Sequence, residues 1–262
     1  MKTYKDEAIV LRSHKLGEAD KIITLLTREH GKKRAVAKGL RRTRSKFGGR
    51  LEPCTHLQLE LYRGRNLDII TGAEIIDPHV PLREDHHKYI CAQSMLELMD
   101  KSIHDDQHVS NAFQALSVSL SAMEGEVNSY ELMLAAFELK LCALVGYRPY
   151  LDCCISCGSE IAGTPAVLRL SEGGICCPAC SGPASAAVSL EPEMLELVRR
   201  IFRTSMADVS RISLDNQAAR KLMRLSFSFS EYHLDRPIKS HRILEDYRFG
   251  AAATPTSDRV HT

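Results

Sequence analysis

Two pairs of cysteines with the spacing C-x2-C most constrain how this chain can fold. Cys154 and Cys157 form the first pair, Cys177 and Cys180 form the second, and nineteen residues separate them. A two-residue spacing lets both sulfurs of a pair turn toward one ion, and two such pairs complete a closed tetrahedral site. Because a catalytic zinc needs an open position, the spacing predicts one structural zinc ion.

Each pair is flanked by a further cysteine, which leaves alternatives for the metal ligands. Cys153 would form a C-x3-C pair with Cys157, and Cys176 would form one with Cys180. The shorter spacing suits a knuckle better, so we expect Cys153 and Cys176 to stay outside the site. The competing interpretation is a group of free or redox-active thiols.

Basic residues are concentrated near the N-terminus. The stretch from Arg28 to Arg50 holds ten lysines and arginines and one acidic residue, Glu29, although the net charge of the chain is only +2. Residues 81–145 are the acidic stretch, with four basic and ten acidic residues. This asymmetry favours a basic module that binds a polyanion, carried by a scaffold that does not. A surface that merely keeps the chain soluble is the simpler alternative.

The first 80 residues have the pattern of β-strands. Five short runs are rich in apolar or β-branched residues and are separated by turns. Five short strands favour a closed barrel, because closure removes exposed edges. An OB-type barrel is the natural candidate, although the strand count alone also permits an SH3-like barrel. The predicted strands cover residues 8–12, 21–27, 32–38, 57–62 and 67–71.

After Pro78 the pattern changes to amphipathic helices. The third has the clearest signals, since Asn128 can cap its start and Gly146 can end it. Its interior is apolar almost all round, which predicts a buried central helix. The predicted helices cover residues 85–104, 109–123, 128–146, 189–205 and 214–234.

These patterns predict an α+β multidomain fold. An N-terminal five-stranded OB-type β-barrel, which would bind nucleic acid, is followed by an all-helical domain with an inserted four-cysteine zinc knuckle. We expect the barrel at residues 1–80, the helical domain at 81–149 and 185–249, the zinc-binding insertion at 150–184 and a disordered tail at 250–262.

The basic side chains fall where an OB barrel binds its ligands, on strands two and three and on the loops joining strands one to two and four to five. We expect Lys32, Arg34 and Lys38 to share one face of the third strand, and residues 39–50 to form a mobile basic loop. Aromatic residues are few in this region, which favours contacts to phosphates over base stacking. The candidate DNA-binding residues are Lys32, Arg34, Lys38, Arg41, Arg42, Arg44, Lys46, Arg50, Arg63 and Arg65.

Motifs of enzymes and of membrane proteins are missing from the sequence. None of the eleven histidines begins H-x-E or H-E-x-x-H, and no phosphate loop G-x-x-x-x-G-K-[ST] occurs. No apolar stretch approaches the roughly 20 residues that span a bilayer, and the N-terminus does not resemble an export signal. We therefore expect a cytoplasmic binding protein and not an enzyme.

Several short segments together resemble one bacterial family. They include Gly17-Glu-Ala-Asp20, Ala37-Lys-Gly39, Gly146-Tyr-Arg-Pro149, the four knuckle cysteines and Lys239-Ser-His-Arg242. With Glu7-Ala-Ile-Val-Leu-Arg12 near the N-terminus, they resemble the RecO family of DNA repair and recombination mediators. The resemblance covers about residues 3–248.

The resemblance implies an N-terminal OB domain, non-catalytic binding of single- and double-stranded DNA, and annealing of complementary strands. It implies RecR as a partner, RecA as an indirect partner, and association with the nucleoid. The acidic C-terminal tail of the single-stranded DNA-binding protein (SSB) would bind an apolar groove with some basic residues. Some members lack the thiolates, so zinc would support the fold rather than the activity.

Two other functions fit the same residues. An RNA-binding factor in translation or ribosome assembly would use the same cations, because phosphates do not reveal the sugar. A zinc-dependent enzyme would require an open coordination position on the metal.

Overall fold

The N-terminal part is a closed five-stranded β-barrel. The computed structural model describes residues 2–109, 111–182 and 186–250, with the backbone alone for residues 247–250. Neighbouring strands follow the order β1-β2-β3-β5-β4, with β4 pairing back to β1. β3 and β5 pair in parallel, and the other pairs are antiparallel. The strands are β1 (Thr3–Leu16), β2 (Asp20–Thr27), β3 (Gly31–Ala37), β4 (His56–Tyr62) and β5 (Asp68–Asp77).

The alternation of side chains along β1 explains how the barrel meets the rest of the chain. Ala8 and Val10 pack inside the barrel, while Ile9 and Leu11 point to the other face and join the core of the helical part. Successive side chains of a strand point to opposite faces, so one strand contributes to both cores. The barrel is therefore docked on the helices through apolar contacts.

The segment between β3 and β4 differs from the expected mobile loop. Residues 38–50 form a series of turns, with Arg42 N donating to Gly39 O at 3.1 Å and Gly48 N to Ser45 O at 3.3 Å. Phe47 and the following Leu51 are buried in the barrel core. Apolar burial fixes this segment as a cap on the barrel. We call residues 38–50 the basic cap.

Eight α-helices follow in the described part of the chain. The predicted central helix is α4, and its residues from Leu132 to Leu139 are all buried. Ser129 caps it rather than Asn128, because the Ser129 hydroxyl accepts from Leu132 N at 3.2 Å. The helices are α1 (Val80–Glu84), α2 (His86–Ser102), α3 (Ala112–Glu124), α4 (Tyr130–Leu144), α5 (Pro192–Arg203), α6 (Met206–Val209), α7 (Asn216–Leu234) and α8 (Lys239–Gly250).

A small sheet that the sequence patterns did not predict lies between the two cysteine turns and α5, and Cys176 is the one knuckle-region cysteine within its strands. Its strands are β6 (Ala166–Arg169), β7 (Gly174–Cys176) and β8 (Ala187–Leu190), in the order β7-β6-β8. Buried residues of this sheet belong to the same core as the helices. The helices α1, α6 and α8 were not predicted either.

Two remaining expectations concern the membrane and the C-terminus. Among the described residues, no helix is both long enough and apolar enough to cross a bilayer. The expected disordered tail at 250–262 lies, apart from the last residue of α8, outside the described residues.

Candidate zinc centre and nucleic-acid interface

Two tight turns place the four knuckle cysteines. In the first, Gly158 N donates to Cys154 O at 2.9 Å, and Gly158 adopts a φ of +72° that a residue without a Cβ tolerates. In the second, a short 3-10 turn from Pro178 to Cys180 follows β7, and Cys180 N donates to Cys177 O at 3.0 Å. Each turn brings the two sulfurs of its pair to the same side.

The four sulfurs form one cluster. The Sγ atoms of Cys154, Cys157, Cys177 and Cys180 all lie within 4.8 Å of one another. The Sγ atoms of Cys157 and Cys177 are 3.8 Å apart. Zn–S bonds of about 2.3 Å in a tetrahedron require sulfurs roughly 3.8 Å apart. The donor set and its spacing therefore fit a zinc ion.

The protonation of these thiols also fits a cation. Hydrogen bonding from Cys177 N lowers the pKa of Cys154 to about 6, and hydrogen bonds from Ser159 lower that of Cys157. Hydrogen bonds to the neighbouring sulfurs raise the pKa of Cys180 to about 12. Four thiolates in one place repel one another, so the last thiol ionises readily only if a cation compensates the charge.

The flanking cysteines lie outside this cluster. The Sγ of Cys153 contacts the Tyr150 hydroxyl at 3.1 Å, and Cys176 is buried in β7 with its Sγ 3.5 Å from Ser156 Oγ. The sheet and the first turn direct these two sulfurs away from the other four.

The basic cap presents exposed cations. Arg41 is held in place by the β1–β2 turn, since its backbone N donates to Ala19 O at 2.9 Å and its Nη1 to Gly17 O at 3.0 Å. Lys46 donates to Thr71 O on β5 at 2.8 Å. In the part of the chain that the structure describes, no side chain of the cap forms an ion pair with a carboxylate. The exposed cations are Lys38, Arg41, Arg42, Arg44, Lys46 and Arg50.

The β4–β5 turn adds two exposed arginines, Arg63 and Arg65. The Arg63 guanidinium lies over the ring of Tyr4, 5.2 Å from its centroid. The Tyr4 hydroxyl donates to Asp68 at 2.5 Å, and burial with this bond raises its pKa. Neither arginine forms an ion pair with any described carboxylate, so both charges remain available.

Lys32 and Arg34 of β3 lie elsewhere than expected. They share the face opposite Ala35, as predicted, but this face is turned toward the helical domain. Lys32 is buried, and its Nζ lies 2.6 Å from Asp100 O and 3.1 Å from Asp100 Oδ1. Arg34 is exposed, and its Nη1 lies 3.7 Å from Asp105 Oδ2. The geometry therefore assigns Lys32 to the contact between domains and not to an open surface.

Backbone hydrogen bonds reinforce this contact. Asp106 N donates to Lys32 O at 2.7 Å, and Lys32 N donates to Gln107 O at 3.2 Å. Gly31 has a φ of +70°, and a Cβ there would lie 2.2 Å from Gln107 O. The connection between α2 and α3 thus runs alongside β3, and its carboxylates neutralise cations of that strand.

Comparisons with known proteins agree with this architecture. Residues 1–79 match the family model for the N-terminal part of recombination protein O, and residues 83–242 match the model for its C-terminal part. The DNA repair protein RecO of a Nocardioides strain is 41% identical over 92% of this chain and 99% of its own. The RecO protein of Bifidobacterium longum is 34% identical over 94% of this chain and all of its own.

The chain belongs to the RecO family. The family supports a role in DNA repair, and the closed barrel, the helices and the cysteine cluster give the architecture expected from the resemblance.

A groove on the helical side of this RecO protein was not located from the sequence. It has a volume of about 930 Å³ and lies between α5 and α7, beside β8. Apolar side chains line it together with three cations and with the carboxylates of Glu191, Glu193, Glu196 and Asp215. Asp215 caps α7 by accepting from Ala218 N at 2.9 Å. The apolar residues are Val188, Leu190, Met194, Leu197, Ile212, Leu214, Ala218 and Leu225, and the cations are Arg200, Lys221 and Arg224.

Proposed function

We propose that this chain is a non-catalytic, DNA-binding recombination mediator in DNA repair. It binds single- and double-stranded DNA through the exposed cations of the basic cap and of the β4–β5 turn. The observation that carries the proposal is the set of eight exposed lysines and arginines, none of them ion-paired within the described residues. Arg34 is exposed but lies near Asp105, and we leave Lys32 out because it is buried.

Annealing follows from charge neutralisation and needs no reacting group. Two complementary strands repel each other through their phosphates, and a basic surface that neutralises both raises their rate of encounter. Phosphate contacts are largely independent of base identity. The proposed surface therefore tolerates any sequence.

The zinc ion that we propose is structural. Cys154, Cys157, Cys177 and Cys180 would hold it as thiolates and leave no position open for water or substrate. When bound, it supplies a cross-link between the two turns. We therefore assign it no part in DNA chemistry, and this argues against the zinc-dependent enzyme.

The proposed partners follow from the family. Together with RecR, the chain helps RecA to load onto DNA coated by SSB, in the cytoplasm and in association with the nucleoid. We place the acidic SSB tail in the groove between α5 and α7. Its apolar lining suits the apolar groups of such a peptide, and Arg200 and Lys221 would pair with the acidic ones, while the four carboxylates of the lining would have to stay turned away from the peptide.

Charge reversal on the basic cap tests the DNA-binding surface. Changing Arg41, Arg42 and Arg44 to Glu is expected to weaken binding at least about tenfold for single strands and duplexes alike. The slope of log affinity against log salt should flatten by roughly 0.7 to 0.9 for each phosphate that the variant no longer neutralises. Fluorescence anisotropy at several salt concentrations measures both quantities.

A matched control carries the same change of charge on the helical domain, with Arg211, Arg220 and Arg236 changed to Glu. It should keep the wild-type affinity and should still anneal SSB-coated oligonucleotides. Equal losses in both variants would contradict a local surface. Tighter binding of RNA than of DNA of the same sequence would favour the RNA-binding factor instead.

Charge reversal in the groove tests the site of the SSB tail. Changing Arg200 and Lys221 to Glu should weaken binding of a fluorescent SSB-tail peptide by about tenfold or more, because each cation pairs with a carboxylate of the peptide. Arg220→Glu is the control, since Arg220 lies on α7 but does not line the groove. Unchanged peptide affinity in the double variant would place the tail elsewhere.

A further inference from the structure

Exposed aromatic rings are concentrated where the helical domain joins the cysteine module. Tyr147 and Tyr150 lie in the short connection after α4, and 43% and 47% of their surfaces are exposed. Tyr232, near the end of α7, is 43% exposed. In the barrel, by contrast, Phe47 is buried and Tyr4 is held by Asp68 and Arg63. The rings suited to stacking are therefore outside the barrel.

The first of these rings is held in one orientation. Tyr147 stacks on His233 with centroids 4.8 Å apart and an angle of 24° between the rings. The ring centroid of His233 in turn lies 4.4 Å from that of Phe229 and 5.2 Å from that of Tyr232. Because one face of Tyr147 is supported, its exposed face is already oriented and little side-chain entropy is lost when a flat group stacks on it.

Cations lie beside the ring of Tyr150, and one of them, Arg148, directly follows Tyr147 in the chain. Arg148, Tyr150, Phe202 and Arg203 border a depression of about 180 Å³. The Arg148 guanidinium lies 5.3 Å from the centroid of the Phe202 ring. Arg148 and Arg203 are exposed, and neither is paired with a carboxylate that the structure describes.

Of the other two charged groups of the depression, Arg199 already has partners, and the carboxylate of Asp152 faces a larger number of arginines. Arg199 is bonded to backbone oxygens, with its Nε donating to Leu151 O at 2.8 Å, and it pairs with Glu196. Asp152 supplies the one carboxylate of the lining, against three guanidinium groups. The depression is thus aromatic and net positive.

We propose that Tyr147, Arg148, Tyr150 and Arg203 form a second DNA contact, the tyrosine platform, which binds unpaired bases of a single strand. The two tyrosine rings stack on bases, and the two arginines bind the adjoining phosphates. Every base has a flat face, so such a platform is tolerant of sequence. The proposal rests on the proposed DNA-binding function and adds selectivity for single strands.

The combination of rings and cations favours this ligand over an acidic peptide. An acidic peptide would satisfy Arg148 and Arg203 but would leave two exposed rings without a flat partner. In a duplex the bases are stacked on each other and cannot reach the platform. The platform therefore distinguishes single from double strands, which the phosphate contacts of the basic cap do not.

A single tryptophan can report the contact, because the chain contains none. Tyr147→Trp keeps an aromatic ring on the platform, and its fluorescence should be quenched by a thymidine oligomer but not by an abasic oligomer of equal length. Tyr89→Trp is the control, since Tyr89 is an exposed tyrosine on α2, whereas Tyr147 directly precedes Arg148 of the depression in the chain. Quenching in the control alone, in both variants, or in neither would overturn the platform.

Affinities then separate the platform from the basic cap. Changing Tyr147 and Tyr150 to Ala should lower affinity for the thymidine oligomer about 5-fold to 100-fold for each stacked base, with duplex and abasic affinities unchanged. The corresponding Phe variants should restore binding, which excludes a folding defect. Equal loss for all three nucleic acids, or an acidic peptide as the tighter ligand, would refute the platform.

The two proposals fail in different ways. If the cap variants lose all DNA binding while the Ala variants keep single-strand affinity, the platform is wrong and the proposed function stands. If wild-type protein binds no nucleic acid, both are wrong.

Discussion

At the scale of single residues, Glu97 joins two helices that are distant in the sequence. Its carboxylate accepts from Lys239 N at 3.0 Å and from Ser240 N at 2.9 Å, the first amides of α8. Lys101 pairs with it at 2.7 Å. Burial alone would raise the pKa of Glu97, but these donors outweigh burial and lower it to about 2. The charged carboxylate thus caps α8 from α2.

A pH-dependent loss of stability follows from Glu97. Its pKa is lower in the folded chain, so the stabilisation is present above the normal value of 4.5 and is lost as the pH falls toward 2. Glu97→Gln should lower the free energy of unfolding at pH 7 by about 1 kcal/mol, as loss of a charged cap does. Urea unfolding at a series of pH values should show the two proteins converging in acid. A constant difference at every pH would contradict this role.

His241 shows how an apparently surface residue can be a core residue. It lies two positions after the charged Lys239, yet it is buried. Its Nε2 is 2.7 Å from Glu138 Oε1, and its ring stacks on that of Phe227 with centroids 3.6 Å apart. Glu138 is itself fully buried, and this burial raises its pKa. No local pattern reveals such a pair, because its members are 103 positions apart.

At the scale of elements, the cysteine turns are the part that the sequence predicted best. The short C-x2-C spacing limits where the two sulfurs of a pair can lie, and the structure brings the predicted four together. The sheet formed by β6, β7 and β8 was not predicted, because its strands have only three or four residues. So short a stretch shows no clear period of two.

Removal of the proposed zinc ion should affect stability more than binding. Wild-type protein is expected to contain one zinc per chain, and Cys154→Ser with Cys177→Ser to contain none. The thermal midpoint should fall by several degrees, since each kcal/mol corresponds to roughly 2–4 °C in a chain of this size. DNA affinity should change less than about threefold, because the basic cap lies on another domain.

Cys153→Ser is the matched control for the zinc experiment. Cys153 adjoins a ligand but lies outside the cluster, so this variant should retain its metal and its thermal midpoint. Metal analysis and calorimetry measure the two properties. Zinc-free wild-type protein, or loss of zinc in the control, would contradict the assignment of ligands.

Strand β3 shows where prediction from a local pattern fails. The alternation correctly separated Lys32 and Arg34 from Ala35, because a strand has only two faces. It could not tell which face would be covered, since Asp100 on α2 and Asp105 in the connection after α2 are distant in the sequence. A basic strand next to an acidic helical stretch could have signalled this contact.

At the scale of the whole molecule, some basic residues pair with carboxylates between the barrel and the helices, and others remain exposed on the surface. Carboxylates at the end of α2 and in the connection to α3 compensate the cations of β3. The cations of the basic cap stay exposed, so a chain with almost no net charge still presents a strongly positive end. Composition predicted a basic N-terminal part and an acidic stretch after it, but not that some of these charges would pair with each other. The positions of the groove and of the tyrosine platform likewise required tertiary contacts.

The paired backbone of Lys32 and Asp106 has a mechanical consequence. A barrel joined to its neighbour only by a tether would turn freely, but here hydrogen bonds, ion pairs and a shared apolar layer hold it in one pose. A nucleic-acid strand lying on the barrel would therefore meet whatever occupies the α5–α7 side at a fixed distance and angle. These contacts thus set the orientation of the barrel relative to the helices.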